Sequence, residues 1–346
     1  MDTTQYPKKN VLTNNIILKS NTFLITIFDK FQTINPKKKM IWNPSEGIHL
    51  GPINLRIYSL MFVIAFGLGY YIMKRIFINE KESIDKLDTL FIWTVLATLL
   101  GARLGHVFFY DWEYFRNHLL EILLPFKFEP EFQFTGFAGL ASHGAAIAII
   151  LVMYFYSKNV IKRPMLWVLD RVVIPVACGA IFVRIGNFFN SEIVGKVTDN
   201  TTFGVRFVRD YFSPQDAMDK TRIADPEKAY NAIVNNPKFA DLLAQVPLKH
   251  PAQLYESFCY IFVFFILLFL YWKTRTAEKH GLIFGIFLIL LWSVRFAVEY
   301  VKESQGGIEK MLGLFTTGQW LSIPFIMIGV YFLFMAEKPL PEDIDF

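Results

Sequence analysis

Hydrophobic and polar positions alternate along this chain in long blocks. Runs of apolar residues are separated by polar segments, and each run is close to the 20 or so residues that a helix needs to cross a hydrocarbon core of roughly 30 Å. The pattern predicts an all-α polytopic membrane protein with about seven transmembrane helices. The runs occupy residues 56–76, 88–110, 138–157, 165–188, 255–272, 281–301 and 316–336.

Charge in the segments between the runs predicts the orientation. Because cytoplasmic loops are enriched in Lys and Arg, the basic segments are expected in the cytoplasm. The N-terminus is then outside and the C-terminus inside, and the long polar segment 195–250 forms a small extracytoplasmic cap between spans four and five. The segments after spans one, three and five are the short, basic ones; they contain Lys74, Arg75, Lys81, Lys86, Lys158, Lys162, Arg163, Lys273, Arg275 and Lys279.

The chain ends lie outside this pattern. Residues 1–39 form an N-terminal tail, residues 40–336 the seven-span membrane domain with its cap, and residues 337–346 a C-terminal cytoplasmic tail. The N-terminal tail carries seven lysines on the side where few are expected. Two explanations are open: translation begins at Met40, so that the tail is not made, or the tail lies as an amphipathic segment on the membrane surface.

Composition agrees with a membrane protein. The chain is 53% hydrophobic and only 19% charged, whereas soluble domains carry about 25% charged residues. The net charge of +5 fits basic loops, and no basic-aromatic patch indicates a nucleic-acid partner. Cys178 and Cys259 both lie in apolar runs and form neither a metal-ligand spacing nor a disulfide framework. We therefore expect no metal and no cofactor.

Ionisable residues inside the spans indicate a function. Each costs about 2.5–3.5 kcal/mol on insertion scales, and such residues usually mark a site. In the predicted topology Arg103, His143, Arg184 and Arg295 lie towards the outer half of four different spans. Planar guanidinium groups suit a phosphate, because they can bind two of its oxygens at once. At this depth the phosphate would belong to a lipid headgroup.

Spacing within two of these spans predicts how the side chains are arranged. In "VRIGNFFNSEIVG", residues 183–195, Arg184, Asn187 and Ser191 follow an i, i+3, i+7 spacing, which predicts one helical face. Arg295 and Glu299 are four residues apart in the sixth span and can form an ion pair that holds the guanidinium in one orientation.

Each of these residues also has a purely structural explanation. Arg184 and Arg103 could extend to the membrane interface, and Arg295 with Glu299 could be a structural ion pair.

The same holds for the other polar positions. His143 could be hydrogen-bonded to a neighbouring helix, and Tyr58 could belong to the interfacial aromatic belt. The segment "HPAQLYES", residues 250–257, could be only a capped helix start at the membrane surface.

Taken together, the motifs resemble the prolipoprotein diacylglyceryl transferase family of bacterial inner-membrane enzymes. The run "RIGNFFNSEIVG", Arg184 to Gly195, matches the family signature. The segments "IYSLMF" and "GARLGHVFFY", the His-Gly pair that opens span three, "HPAQLYE" and the Arg-x-x-x-Glu of span six follow in family order. The resemblance covers about residues 40–336.

This resemblance implies a reaction and its partners. A transferase of this family moves the diacylglyceryl group of phosphatidylglycerol to the lipobox cysteine thiol in the signal peptide of a prolipoprotein. A thioether forms and glycerol phosphate leaves, which is the first step of bacterial lipoprotein maturation. The implied location is the bacterial inner membrane, with membrane lipids as further partners and no nucleic acid.

The resemblance also implies site residues. Arg184 and Arg295 are expected to bind the phosphate, and His143 is the candidate base for the thiol, because histidine is the side chain type that exchanges protons most readily near neutral pH. The other residues expected at the phosphatidylglycerol site orient Arg295, contact the headgroup hydroxyls, line the site or let the chain turn away from the lipid. They are Glu299, Asn187, Asn190, Glu192, Tyr58, Arg103 and Gly195.

A rival class is a transporter of anions or anionic lipids that uses the same arginines. Such a protein would favour internal repeats or broken helices in matching halves. Seven spans of unequal length show neither feature, so the sequence favours the enzyme.

Overall fold

The computed structural model describes residues 40–45, 47–50, 53–124, 126–128, 132–134, 139–304 and 314–336. The N-terminal tail, with the question of the translation start, and the C-terminal tail lie outside the described residues. The chain divides into two compact units. The polar unit contains residues 40–44 and 196–251, and the membrane unit contains residues 45–195 and 252–336.

Long apolar helices build the membrane unit, and the prediction of an all-α polytopic membrane protein is confirmed. Six of the described helices are long and apolar enough to cross a membrane. The helix at Leu282–Val298 is apolar but has 17 residues, so the count of seven spans stays a prediction. The helices are α1 Ile57–Asn79, α2 Ile84–Phe109, α3 Ser142–Tyr156, α4 Met165–Phe189, α5 Ala252–Lys273, α6 Leu282–Val298 and α7 Thr317–Met335.

Shorter elements fill the connections of the membrane unit. A π-helical turn at Ser157–Ile161 extends α3. Strands Gly47–Leu50 and Ile53–Arg56 form an antiparallel hairpin before α1. Between α2 and α3 lie short helices at Trp112–Phe115 and Leu119–Ile122 and a second antiparallel pair, Phe126–Lys127 with Gln133–Phe134.

The polar unit has its own small sheet and core. Strand Val205–Phe207 pairs in parallel with Met40–Trp42 and antiparallel with Leu248–Lys249. Short helices pack a core around Tyr230, which is 1% exposed. That this unit forms an extracytoplasmic cap stays a prediction. Its helices are Val208–Tyr211, Pro214–Thr221, Pro226–Asn235, Pro237–Phe239 and Ala240–Gln245.

Helix α4 is the centre of the membrane unit. Half of the residues in the most apolar stretch of α4 are buried, which is the highest share among the six candidate spans. The helix packs against α1, α5 and α6. Because α4 touches so many neighbours, side chains at either of its ends can reach several helices. The first end holds a structural network and the last end holds the candidate site.

A buried carboxylate fixes α6 to the first end of α4. Asp170 is fully buried, and its two oxygens accept hydrogen bonds from the backbone N–H groups of Gly281, at 2.7 Å, and Phe284, at 2.8 Å. These donors are at the start of α6, where a helix leaves N–H groups unpaired. The neighbouring Arg171 donates to Glu80 at 2.9 Å. The network therefore joins α1, α4 and α6 at one level.

Glycines let α2 and α3 pack with their backbones in contact. A Cβ atom added to Gly144 would lie 2.3 Å from the carbonyl oxygen of Gly101 and 2.6 Å from the Cα of Gly105. Gly101 and Gly105 are spaced as in a small-xxx-small motif, which allows close helix approach in membranes where lipid supplies no hydrophobic driving force between helices.

We expect Gly144→Ala to lower the free energy of unfolding by about 1–3 kcal/mol, because the added methyl group must push two backbones apart. The matched control is Gly67→Ala, since a Cβ at Gly67 meets nothing within 4 Å. Thermal unfolding of both variants in the same detergent measures the difference. Equal stability of the two variants would contradict close packing of α2 on α3.

Candidate lipid-phosphate site

A cavity of about 650 Å³ lies within the membrane unit, mainly between α1, α2 and α4. Both of its lining arginines, Arg184 and Arg295, lie at one end together with Tyr58 and Asn187, and Tyr70, Thr94 and Ser142 add polar groups elsewhere. At the other end it is lined by apolar residues such as Met73. Tyr58 and Met73 are on the same helix, and at 1.5 Å per residue they are about 22 Å apart. The cavity therefore has the proportions of a lipid, with a polar head end and a long apolar end.

The Arg184 guanidinium is held from two sides. Its Nε donates to Glu256 Oε2 in an ion pair, and its Nη1 donates to Asn187 Oδ1 at 3.1 Å. Glu256 is 1% exposed and is on α5. One edge of the guanidinium is thus used for positioning. Removing either partner of such a buried pair would leave the other charge unpaired, which is costly.

The hydrogen-bond chain continues beyond Asn187. Its Nδ2 donates to Glu192 Oε2 at 3.4 Å, and Asn190 Nδ2 donates to Glu192 Oε1 at 3.1 Å. Gln253 Nε2 donates to the Glu192 backbone carbonyl at 2.5 Å. Arg184, Asn187, Asn190 and Glu192 are therefore brought together as one network, as the sequence motif suggested.

The end of α4 departs from the predicted helical face. The helix ends at Phe189, and Ser191 has a left-handed backbone with φ of 57°. The prediction that Ser191 continues the face of Arg184 and Asn187 is wrong, because the chain leaves the helix before that turn. Ile193 also has a left-handed φ of 58° and lines the cavity. For a β-branched residue this is a strained conformation, of the kind that surrounding structure must enforce.

Arg295 reaches the cavity from α6 without a carboxylate partner among the described residues. Its guanidinium lies 5.3 Å from the centre of the Trp292 ring, and its Nε is buried with no hydrogen-bond partner among the described residues. The predicted ion pair with Glu299 is wrong. Glu299 instead pairs with Lys302, whose Nζ is 3.4 Å from Glu299 Oε2.

Tyr58 and Gly195 also lie near this end. The Tyr58 ring packs so closely on α4 that a Cβ at Gly186 would lie 2.8 Å from its Cδ2. Gly195 forms an antiparallel bridge with Lys302, which ties the segment after α4 to the segment after α6.

His143 is exposed at the start of α3 and is not among the residues that line the cavity, although its neighbour Ser142 is. Its ring centre is 5.0 Å from that of Phe109 and 5.6 Å from that of Tyr110. The imidazole therefore lies beside the cavity wall, among aromatic side chains.

Arg103 lies away from the arginine pair. It is 7% exposed and donates to the backbone carbonyls of Ile122, at 2.9 Å, and Glu121, at 2.7 Å. Its guanidinium also lies 4.7 Å from the centre of the Phe115 ring. These contacts hold the connection between α2 and α3 against α2, and Arg103 is not among the cavity-lining residues.

The sequence reasoning missed several functional neighbours in "HPAQLYES". In the sequence, that segment indicates a helix start and carries part of the family resemblance, and none of its residues is predicted at the site. In the structure its residues Gln253 and Glu256, together with Tyr260 in the next turn, are buried and face the end of α4. The available signal was the spacing of polar residues at i, i+3 on an otherwise apolar helix. Within the described ranges, no group of three or more His, Cys, Asp or Glu residues is arranged to hold a metal ion.

Comparisons with known proteins identify the family. The family model described as "Prolipoprotein diacylglyceryl transferase" matches residues 46–335. Proteins named phosphatidylglycerol–prolipoprotein diacylglyceryl transferase from Chloroherpeton thalassium and Bacteroides fragilis are 35% and 34% identical over 300 residues, covering 86% of this chain and 95% of each relative. One from Tolumonas auensis is 33% identical, covering 86% of this chain and 98% of its own length. The chain therefore belongs to the prolipoprotein diacylglyceryl transferase family.

Proposed function

We propose that the protein transfers the diacylglyceryl group of phosphatidylglycerol to the thiol of a lipobox cysteine in a prolipoprotein signal peptide. The observation that carries this proposal is that Arg184 and Arg295 line one end of a cavity whose lining is otherwise mostly apolar. The names of the relatives support the same two substrates.

The chemistry explains why guanidinium groups are needed. The cysteine sulfur attacks the glyceryl carbon that carries the phosphate, a carbon–sulfur bond forms, and the carbon–oxygen bond to the phosphate breaks. Glycerol phosphate leaves with an additional negative charge, and the thiol proton is released. Donors aimed at the phosphate act most strongly where that charge develops. Arg184 and Arg295 supply them from α4 and α6.

The remaining cavity fits the rest of the lipid. The apolar end, about 22 Å from Tyr58 by the rise of α1, accommodates acyl chains. Asn187, Asn190 and Glu192 form the hydrogen-bonded wall beside Arg184 and contact the glycerol hydroxyls of the headgroup. Tyr58 closes the same end. Gly195 turns the chain away from the lipid, while Arg103 supports the site only through the α2–α3 connection.

The thiol proton requires a base. A cysteine thiol with pKa about 8.5 is mostly protonated at neutral pH. Among the described residues, His143 contacts other aromatic rings and forms no hydrogen bond, so its imidazole nitrogens are available. Its neighbour Ser142 lines the cavity, which supports this role for His143.

Orientation in the bacterial inner membrane follows from the basic segments. With those segments in the cytoplasm, the network around Asp170 lies at the cytoplasmic end and the arginine pair in the outer half. The N-terminus is then outside, the C-terminus inside and the polar unit extracytoplasmic. Lipoprotein precursors arrive on that side with their signal peptides in the membrane. A transporter would use the same arginines, but no observation favours it over the enzyme.

Purified protein in phosphatidylglycerol vesicles should convert a lipobox peptide into its diacylglyceryl thioether, detected by intact-mass spectrometry. Replacing the peptide cysteine by serine should abolish the product. Movement of an anion across the vesicle wall without any thioether would support the transporter instead.

Arg184→Ala should lower the transfer rate at least about 100-fold, because a donor aimed at the developing charge is lost. The substitution strands the buried Glu256, so Arg184→Ala/Glu256→Gln serves as the version that leaves no unpaired charge. The matched control is Arg171→Ala/Glu80→Gln, which removes an ion pair at the other end of α4 and should keep transfer per folded molecule. Normal transfer by a folded Arg184 variant would exclude Arg184 from the site.

His143→Gln should fail at neutral pH and regain activity as the pH rises through the thiol pKa of about 8.5, because the peptide then supplies its own thiolate. Transfer rates from pH 6.5 to 9.5 for wild type and variant measure this. A variant that is fully active at neutral pH would assign the base to another group.

A further inference from the structure

Arg295 lacks the partner that its own helix offers. A carboxylate four residues further along a helix is well placed to pair with an arginine, and Glu299 is in that position. Nevertheless, the Arg295 guanidinium contacts the Trp292 ring, and its buried Nε has no hydrogen-bond partner among the described residues. A buried N–H group without a hydrogen-bond partner costs free energy unless a ligand completes it.

Glu299 forms its ion pair with Lys302 instead. Lys302 is 3% exposed, Glu299 is 4% exposed, and their charged atoms are 3.4 Å apart. The lysine backbone is fixed by its bridge to Gly195 and by the hydrogen bond from the next N–H group, of Glu303, to the Val194 carbonyl at 3.2 Å. The lysine is therefore built into the structure and is not a surface charge that happens to be nearby.

The Glu299 carboxylate also has a prepared position. A Cβ atom at Gly318, in the first turn of α7, would lie 2.4 Å from Glu299 Cδ. Only a glycine leaves room for the carboxylate there. The carboxylate is thus held by α7 on one side and by Lys302 on another, while Arg295 reaches the cavity.

The pKa of Lys302 is lowered overall, mainly by burial. Burial lowers the pKa of Lys302, and the nearby carboxylates of Glu256 and Glu299 raise it. The chain places a third cation beside two arginines, whose charges also oppose it. Its nearest carboxylate is the one that would otherwise neutralise Arg295.

We propose that Lys302 is a positioning residue that holds Glu299 away from Arg295, so that the Arg295 guanidinium is free to bind the phosphate of the lipid substrate. The identity of that lipid rests on the proposed function. In this arrangement Arg184 is the fixed anchor, already paired with Glu256, whereas Arg295 completes its pairing only with the phosphate.

The test compares kcat/KM for phosphatidylglycerol in four proteins. Lys302→Met releases Glu299 to pair with Arg295 and should lower kcat/KM at least about tenfold. Lys302→Met/Glu299→Gln removes the competing carboxylate and should recover most of that loss. Lys302→Arg should stay within about threefold of wild type. The control is Lys249→Met, a lysine 2.8 Å from Asp210 in the polar unit, which should not change the rate.

The double variant decides the matter even if Lys302→Met does not fold, because it leaves no unpaired carboxylate beside Arg295. A folded double variant that is as inactive as the single variant, or a fully active Lys302→Met, would overturn the role of Lys302. Retention of phosphatidylglycerol by the same proteins, measured by native mass spectrometry, should follow the same order. Wild-type protein that retains the lipid but forms no thioether would overturn the proposed function and leave the role of Lys302 standing. Greater lipid retention by Lys302→Met than by wild type would overturn the role of Lys302 and leave the proposed function standing.

Discussion

The buried ion pair between Arg184 and Glu256 is the contact on which the site depends. It joins the last turn of α4 to the first turns of α5 at membrane depth, where an unpaired charge of either sign would be costly. The pair fixes which edge of the guanidinium faces the cavity. The hydrogen bonds from Arg184 to Asn187 and from Asn187 to Glu192 then follow from that orientation.

The two arginines differ in a way that would matter for the proposed reaction. Arg184 is preorganised by protein groups and pays little to adopt its binding geometry. Arg295 is packed on Trp292 but lacks a carboxylate partner among the described residues, so its interaction energy is available to the lipid. Catalysis favours interactions that strengthen as charge develops. A site with one anchored and one uncommitted guanidinium combines firm binding with a response to the growing charge of the leaving group.

Much of the fold and part of the site could be predicted from the sequence. Apolar block length gave the helices of the membrane unit to within a few residues, and polar residues at membrane depth located Arg184, Asn187 and Arg295. The partner of Arg184 could not be predicted, since Glu256 meets it only through tertiary packing. Helical spacing failed for Ser191 because the helix ended first, and for Glu299 because Lys302 and the space at Gly318 compete for it.

The cap that Asp170 places on α6 has a consequence at the opposite end of that helix. The first turn of α6 is fixed to α4 through Gly281 and Phe284, and Arg295 is eleven positions after Phe284. Each residue inserted or removed between them would turn Arg295 by about 100° and shift it 1.5 Å, away from the cavity. The number of residues before Arg295 therefore determines the direction in which its side chain points. This requirement constrains the length of α6 more strictly than membrane thickness does. Adaptation to a thicker or thinner bilayer must come from the other helices or from tilt of the whole bundle.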